Sequence, residues 1–95
     1  MNRIVRACNP VRVVVFGSYA RGEAGPGSDL DLLVVLPRVH DRRAVTVGVR
    51  RALADLPVAK DVVVVSAEEA ERRRDSPWHI VGQALHEGQT VYEVP

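Results

Sequence analysis

Two aspartates one residue apart, Asp29 and Asp31, open the apolar run DLDLLVVL at residues 29–36. Side chains two residues apart on a strand point to the same face, so this pair projects together while Leu30 and Leu32 enter the core. Two carboxylates this close repel each other unless a proton or a cation lies between them. Solvated acids at a strand end are one interpretation of the pair, and ligands of a hard divalent metal are the other.

A third carboxylate, Asp61, precedes the four valines of a second apolar run, VAKDVVVVS at residues 58–66. Acidic residues seldom open a buried strand unless they have a partner. If the two strands are neighbours, Asp61 lies on the same face as Asp29 and Asp31 and completes a cluster of three carboxylates. Such a cluster fits two-metal phosphoryl or nucleotidyl transfer, in which the metals activate the attacking oxygen and neutralise the leaving pyrophosphate.

The dipeptide Gly17-Ser18, which follows a valine-rich run, adds a place for a phosphate. Gly17 lets the backbone approach a ligand closely, and Ser18 offers a hydroxyl group and an N–H at the start of a short helix through Arg21. A strand end, a short helix, a loop and a return strand would then bring that phosphate next to Asp29 and Asp31.

Patterns in the rest of the chain predict the elements that must position these residues. The expected elements are a helix within residues 1–9, strands at 11–16, 29–36 and 58–66, helices at 41–54, from Ser66 onward and at 77–87, and a last strand or extended tail at 89–94. Asp41 is expected to cap one helix, and Ser66 with Glu69 forms a capping box for the next. Ser76 and Pro77 are expected to start the helix at 77–87.

Two kinds of side chain in the last helix have more than one interpretation. Trp78 is expected to be one of the apolar residues of this helix, and it could pack either in the core or at an interface. The spacing of His40, His79 and His86 is not that of a closed zinc site, so we expect His79 and His86 to be surface or capping residues.

Composition limits the class of protein. The chain has 95 residues, of which 46% are hydrophobic and 26% charged, and a formal net charge of +1. That balance is typical of a soluble domain and gives no overall field for a nucleic acid or a membrane, so we expect neither partner. A single cysteine, Cys8, and the lack of a long apolar run in this sequence favour a cytoplasmic location.

The segment GSYARGEAGPGSDLDLLV at residues 17–34 resembles the signature of the nucleotidyltransferase superfamily related to DNA polymerase beta. That signature is Gly-Ser, an intervening helix and loop, Asp-x-Asp, and a third acid on a later strand. The extended form is similar to the minimal nucleotidyltransferases, the MNT proteins, and SPWHIVGQALHEGQTVYE resembles their closing helix and tail. The resemblance implies one minimal nucleotidyltransferase domain over residues 1–95. Its expected fold is α+β in two layers, a mixed β-sheet with helices mainly on one face.

The resemblance also implies roles for single residues. Asp29 and Asp31 would bind Mg²⁺ in a two-metal site, and Asp61 would be a third metal ligand or the base that prepares the incoming hydroxyl. Gly17 and Ser18 would hold the phosphates of ATP, the expected substrate.

Three further residues near these motifs have interpretations of their own. Arg21 is a weaker phosphate candidate, and a solvated or structural arginine is the other interpretation. Ser28 is expected to shape the turn before the strand. Lys60 suits either a pyrophosphate contact or a plain surface position.

Minimal members of this superfamily are commonly paired with a HEPN protein, an all-helical RNase toxin. The resemblance therefore implies an antitoxin that transfers AMP from ATP to a tyrosine of that toxin. We expect the second, helical domain of larger members to be absent, which leaves the acceptor site open or supplied by another protein. Two alternatives remain, a non-catalytic antitoxin that acts by binding and a nucleotidyltransferase of small molecules such as aminoglycosides.

Overall fold

A computed structural model describes residues 2–94 and shows four helices and four strands in that range. In chain order they are α1 (Asn2–Cys8), β1 (Arg12–Phe16), β2 (Leu30–Leu36), α2 (Arg42–Ala52), β3 (Lys60–Ser66), α3 (Ala67–Arg73), α4 (Ile80–Glu87) and β4 (Gln89–Glu93). The strands form one mixed sheet in the order β3-β2-β1-β4, in which β2 and β3 are parallel and the other two pairs antiparallel. Within residues 2–94, every helix is too short or too polar to cross a membrane.

Strand β2 lies inside the sheet, and its residues Leu32 to Leu36 are all buried. Alternate side chains of a strand face opposite sides, so an unbroken apolar run needs cover on both faces. Leu32 and Val34 join one apolar core, and Leu33 and Val35 join a second core across the sheet. The sequence thus predicted a buried central strand correctly.

The helices divide between the two faces of the sheet. Helices α1 and α2 supply Ile4 and Val49 to the first core, and α3 and α4 supply Ala70 and Val81 to the second. The α+β class and the mixed sheet are confirmed, whereas the helices expected mainly on one face in fact cover both. The reason is the continuous burial of β2, which leaves neither face to solvent.

Several predicted helix ends are confirmed by capping hydrogen bonds. The Asp41 side chain accepts a hydrogen bond from the N–H of Ala44, and the Ser66 side chain accepts one from the N–H of Glu69. Each bond satisfies an N–H that the first turn of a helix leaves without a partner. At α1, the first helix ends before Asn9 and Pro10, as the proline predicts.

The start of α4 differs from the prediction. Residues 76–79 form a turn, in which the N–H of His79 donates to the carbonyl of Ser76 at 3.0 Å. The Nδ1 atom of His79 accepts a hydrogen bond from the N–H of Val81, so the histidine caps the helix in place of Ser76. Trp78 therefore lies outside the helix and is 77% exposed, rather than among the apolar contacts of α4.

The short helix expected at Ser18 to Arg21 is a turn in the structure. The carbonyl of Gly17 accepts from the N–H of Arg21, but the helical pattern does not continue. The N–H of Gly22 donates to the carbonyl of Tyr19, three residues back, and the N–H of Glu23 donates to that of Ser18, five residues back. Gly22 has a φ of +70°, which stops a right-handed helix after this single turn. A helix of four residues also lacks the propagation that offsets the cost of its first turn.

Two glycines within helices predict opposite responses to alanine. A Cβ atom on Gly82 in α4 would lie 2.0 Å from the carbonyl oxygen of Ser76, whereas a Cβ on Gly48 in α2 meets nothing within 4 Å. We expect Gly48→Ala to stabilise the protein by about 0.5–1 kcal/mol through helix propensity. Gly82→Ala should instead destabilise it by roughly 1–3 kcal/mol through overpacking, as measured by urea unfolding. Equal effects of the two substitutions would contradict the close packing of α4 on this turn.

Candidate active site

The pairing of β2 with β3 places Asp31 and Asp61 side by side. The two aspartates are direct partners in the parallel register, and Phe16 at the end of β1 is the partner of Asp31 on the other side. By strand alternation, Asp31 and Asp61 lie on the same face of the sheet as Leu33 and Val35. The sequence left open whether these two strands are neighbours, and the structure shows that they are.

The charges of the three aspartates meet at Asp31. Burial raises the pKa of the Asp31 carboxyl, and the negative charges of Asp61 and Asp29 raise it further. The positive charge of Arg21 acts in the opposite sense and lowers this pKa. Asp29 itself precedes β2 and is exposed. The ionised form of Asp31 is therefore disfavoured, because burial and two like charges outweigh the one opposite charge.

The chemistry of these carboxylates fits a hard divalent cation, which prefers oxygen ligands and would relieve the repulsion at Asp31. Within residues 2–94, however, no three His, Cys, Asp or Glu side chains converge closely enough to hold an ion. Electrostatic interaction acts over longer distances than metal ligation. The charges of Asp29 and Asp61 can therefore raise the pKa of Asp31 although the three carboxylates do not converge on one point. Assignment of Asp29, Asp31 and Asp61 as metal ligands stays a prediction.

Gly17 is required by its contact with Asp31. Its φ is +73°, which is a left-handed conformation, and a Cβ atom at this position would lie 2.2 Å from Oδ2 of Asp31. Gly17 follows β1, and Phe16 pairs with Asp31 across the β1–β2 ladder. The sequence predicted that Gly17 leaves room for a phosphate, but it did not indicate that Gly17 also leaves room for the side chain of Asp31. This contact follows from the register of β1 against β2, which the sequence motifs do not specify.

The turn after Gly17 has the backbone groups of an anion site. Among the hydrogen bonds of the described residues, none is donated by the N–H groups of Ser18, Tyr19 or Ala20. Such consecutive free N–H groups at the start of a turn attract anions. Arg21 lies in the same turn, and its Nε donates to the carboxylate of Glu23. The geometry suits the predicted phosphate position, while Arg21 already has an acidic partner.

Two polar residues beside the aspartates have structural roles. The Ser28 hydroxyl accepts from the N–H of Gly25 at 2.9 Å, and the N–H of Ser28 donates back to the carbonyl of Gly25. Ser28 thus closes the turn before β2, as predicted. The Nζ of Lys60 donates to the carbonyls of Leu56 and Val58, both at 2.8 Å. Lys60 fixes the loop before β3, which neither of its two sequence interpretations anticipated.

A small cavity adjoins the carboxylates. Its volume is about 240 Å³, and its walls are Tyr19, the loop residues 25–28 and the segment 57–59 before β3. These wall residues carry no charged side chain, so the cavity offers no ionic partner for a phosphate. A larger groove of about 370 Å³ is lined by Val35 and Ala67, at the opposite end of β2 from Asp31. It is therefore separate from the candidate site.

Replacement of Gly17 by alanine should destabilise the protein more than the same change at Gly22. Both glycines have φ near +70°, so each alanine bears the left-handed penalty of about 1–2 kcal/mol. A Cβ at Gly22 meets nothing within 4 Å, whereas a Cβ at Gly17 meets Asp31. In urea unfolding, Gly17→Ala should lower the free energy of unfolding more than Gly22→Ala does. This difference should shrink when Asp31→Ala removes the carboxylate. A difference that survives Asp31→Ala would contradict this origin.

Asp31→Asn is expected to raise the Tm of the metal-free protein at neutral pH. The raised pKa means that folding disfavours the ionised carboxylate, and this cost is fully present above the folded-state pKa. It disappears below the ordinary aspartate pKa of about 3.9, where both states hold the proton. The gain in Tm, measured in EDTA, should therefore shrink as the pH falls toward that value. A gain independent of pH would rule out charge at Asp31 as its cause.

The fold is similar to that of a chain from a solved structure described as "Crystal structure of the toxin-antitoxin with AMP-PNP". The two chains are 18% identical, with a TM-score of 0.65 over 98% of this chain and 70% of the other. At this identity the likeness concerns the fold alone, which agrees with the expected fold class. No curated protein sequence matches the chain significantly.

A family profile described as a nucleotidyltransferase domain matches residues 1–91. The match spans the turn at Gly17 and all three aspartates, which the structure places at one end of the sheet. It also agrees with the resemblance drawn from the Gly-Ser and Asp-x-Asp motifs. The chain belongs to the nucleotidyltransferase domain family.

Proposed function

We propose that this protein is a metal-dependent nucleotidyltransferase that transfers AMP from ATP to a tyrosine hydroxyl of a HEPN-type toxin, and so acts as an antitoxin. The observation that carries the proposal is the register that sets Asp31 beside Asp61, next to a glycine turn with free N–H groups. Membership of the nucleotidyltransferase domain family supports the reaction class.

The aspartates and the glycine turn would bind different parts of the nucleotide complex. Asp29 and Asp31 would hold Mg²⁺, with Asp61 as a third ligand or as the base, and the bound metal would supply positive charge for the phosphates and the leaving pyrophosphate. The free N–H groups that follow Gly17 would bind phosphate oxygens of ATP. The raised pKa of Asp31 supports the metal assignment, because a cation would offset the repulsion from Asp61 and Asp29 that adds to the effect of burial.

The proposed reaction is a displacement at the α-phosphorus of ATP. The tyrosine oxygen forms a bond to that phosphorus, and the bond from it to the pyrophosphate oxygen breaks. The tyrosine proton passes to a carboxylate, for which Asp61 is our candidate because it is exposed beside Asp31. The products are a phosphodiester of AMP with the partner and free pyrophosphate.

The choice of a toxin as partner rests on two supports. One is the resemblance of residues 17–34 and of the closing helix to the MNT proteins. The other is the likeness in fold to a chain solved in a toxin–antitoxin with AMP-PNP, an analogue of ATP.

Intact-mass spectrometry of the protein encoded beside this one tests the transfer. Incubated with ATP, Mg²⁺ and the wild-type protein, it should gain the mass of whole AMP groups. Asp29→Asn with Asp31→Asn should reduce that gain by at least about 10²-fold, because the charges that position the phosphates are lost. Asp55→Asn with Asp75→Asn changes the net charge equally at exposed positions away from the site, and should leave transfer intact.

The remaining outcomes distinguish the alternatives. Full transfer by the Asp29/Asp31 variant would refute the assigned site. No mass gain, with equal binding and neutralisation by wild type and variant, would favour the non-catalytic antitoxin. Transfer to an aminoglycoside in place of the protein would favour the small-molecule enzyme.

A further inference from the structure

The charges of this protein are segregated by element, although its net charge is only +1. Helices α1 and α2 with their flanking residues, 2–9 and 38–55, contain seven arginines and two acids. Residues 67–94, which include α3, α4 and β4, contain six acids and three arginines. The chain thus has a strongly basic part and an acidic part of similar size.

Most arginines of the basic part lack an acidic partner. Arg3 pairs with Asp55, and Arg42 pairs with Glu69 while its Nε donates to the carbonyl of Val64. Within residues 2–94, no salt bridge engages the other five, which are all exposed. These five, which we term the basic face, are Arg6, Arg38, Arg43, Arg50 and Arg51.

The basic face is formed by residues of α1, of α2 and of the loop that precedes α2. Helices α1 and α2 pack on the same side of the sheet, and the Arg3–Asp55 pair joins α1 to the turn that follows α2. Val49 is the buried side of α2, so helical geometry places Arg43 and Arg51 on its outer side. Asp31 and Asp61 face the other side of the sheet, so the basic face is separate from the candidate active site.

The arginines outside this surface are mostly engaged. Arg72 pairs with Glu68 and Arg74 with Glu71, both within the acidic part. This contrast provides a natural control, because arginines of equal exposure occur in a neutralised setting and in an unneutralised one.

We propose that the basic face binds the sugar–phosphate backbone of nucleic acid. Guanidinium groups match phosphate oxygens in pairs, and several unneutralised cations gain affinity by releasing counter-ions from the polyanion. A protein partner would need apolar or aromatic anchors at the centre of its interface. The large apolar side chains exposed on or next to these helices are Val47 and Leu56, each only 38% exposed, and residues 2–9 and 38–55 contain no Phe, Tyr or Trp. Phosphates therefore fit this surface better than an acidic protein.

This inference revises the sequence expectation of no direct nucleic-acid binding. That expectation used the charge of the whole chain, which averages the two parts. Binding at the basic face does not depend on the proposed AMP transfer, because the two sites share no residue.

Fluorescence anisotropy with a labelled 20-nucleotide single-stranded RNA, in EDTA, tests the proposal. Wild type should bind at low salt, with an affinity that falls steeply as salt rises. Arg43→Glu with Arg51→Glu should weaken binding at least about tenfold and flatten the salt slope by about 1.4, or 0.7 per lost phosphate contact. Arg72→Glu with Arg74→Glu makes the same change in net charge and should have little effect. Circular dichroism should show that both variants fold.

Three results would overturn the proposal. The first is no RNA binding by the wild type at low salt. The second is an equal loss in both variants, which would assign any binding to overall charge. The third is displacement of the RNA by polyglutamate as effective as by unlabelled RNA at equal charge, which would indicate a surface for acidic proteins.

Discussion

The burial of β2 on both faces constrains the rest of the structure. Leu32 to Leu36 are buried in two separate cores, so every residue of the strand has a fixed side. A slip of one residue against β1 or β3 would exchange the two sets and turn Asp31 toward the α1–α2 core. The register that pairs Asp31 with Asp61 is thus maintained by apolar packing several residues away from the carboxylates themselves.

That packing also explains how the protein tolerates an unfavourable site. Asp31 lies partly buried among like charges, against a glycine in a left-handed conformation. The burial and the like charges cost free energy of folding, and functional sites commonly concentrate such costs. The two apolar cores lie further along the same strands, and their packing stabilises the fold enough to offset these costs. A bound cation would attract each carboxylate and so offset the repulsion at Asp31.

The sequence predicts the parts of this fold that depend on local pattern. The valine-rich strands and the caps at Asp41 and Ser66 follow from β-branched runs and capping chemistry, whereas the pairing of the two Asp-bearing strands had to come from the structure. What it misses depends on tertiary contacts. His79 replaces Ser76 as a cap, and Gly82 of α4 packs against the backbone of the turn that Ser76 begins.

Position along the chain likewise hides the roles of other residues near the site. Lys60 donates to carbonyls of the preceding loop, a contact that its position next to Asp61 does not indicate. The close approach of Gly17 to Asp31 depends on the register of two strands and is invisible to motif spacing. For the site itself, sequence identifies the aspartates and the glycine, and structure shows why the glycine is needed.

The sheet also separates the two charged surfaces of the molecule. Asp31 and Asp61 face one side, while the basic face lies on the outer side of helices that cover the other. The sheet and the width of α2, about 10 Å for a packed helix, separate Arg43 and Arg51 from Asp31 by more than the Debye length of about 8 Å at physiological salt. Neither surface then neutralises the other through solvent. Each presents its own sign of charge to ligands, and the near-zero net charge of the chain describes neither.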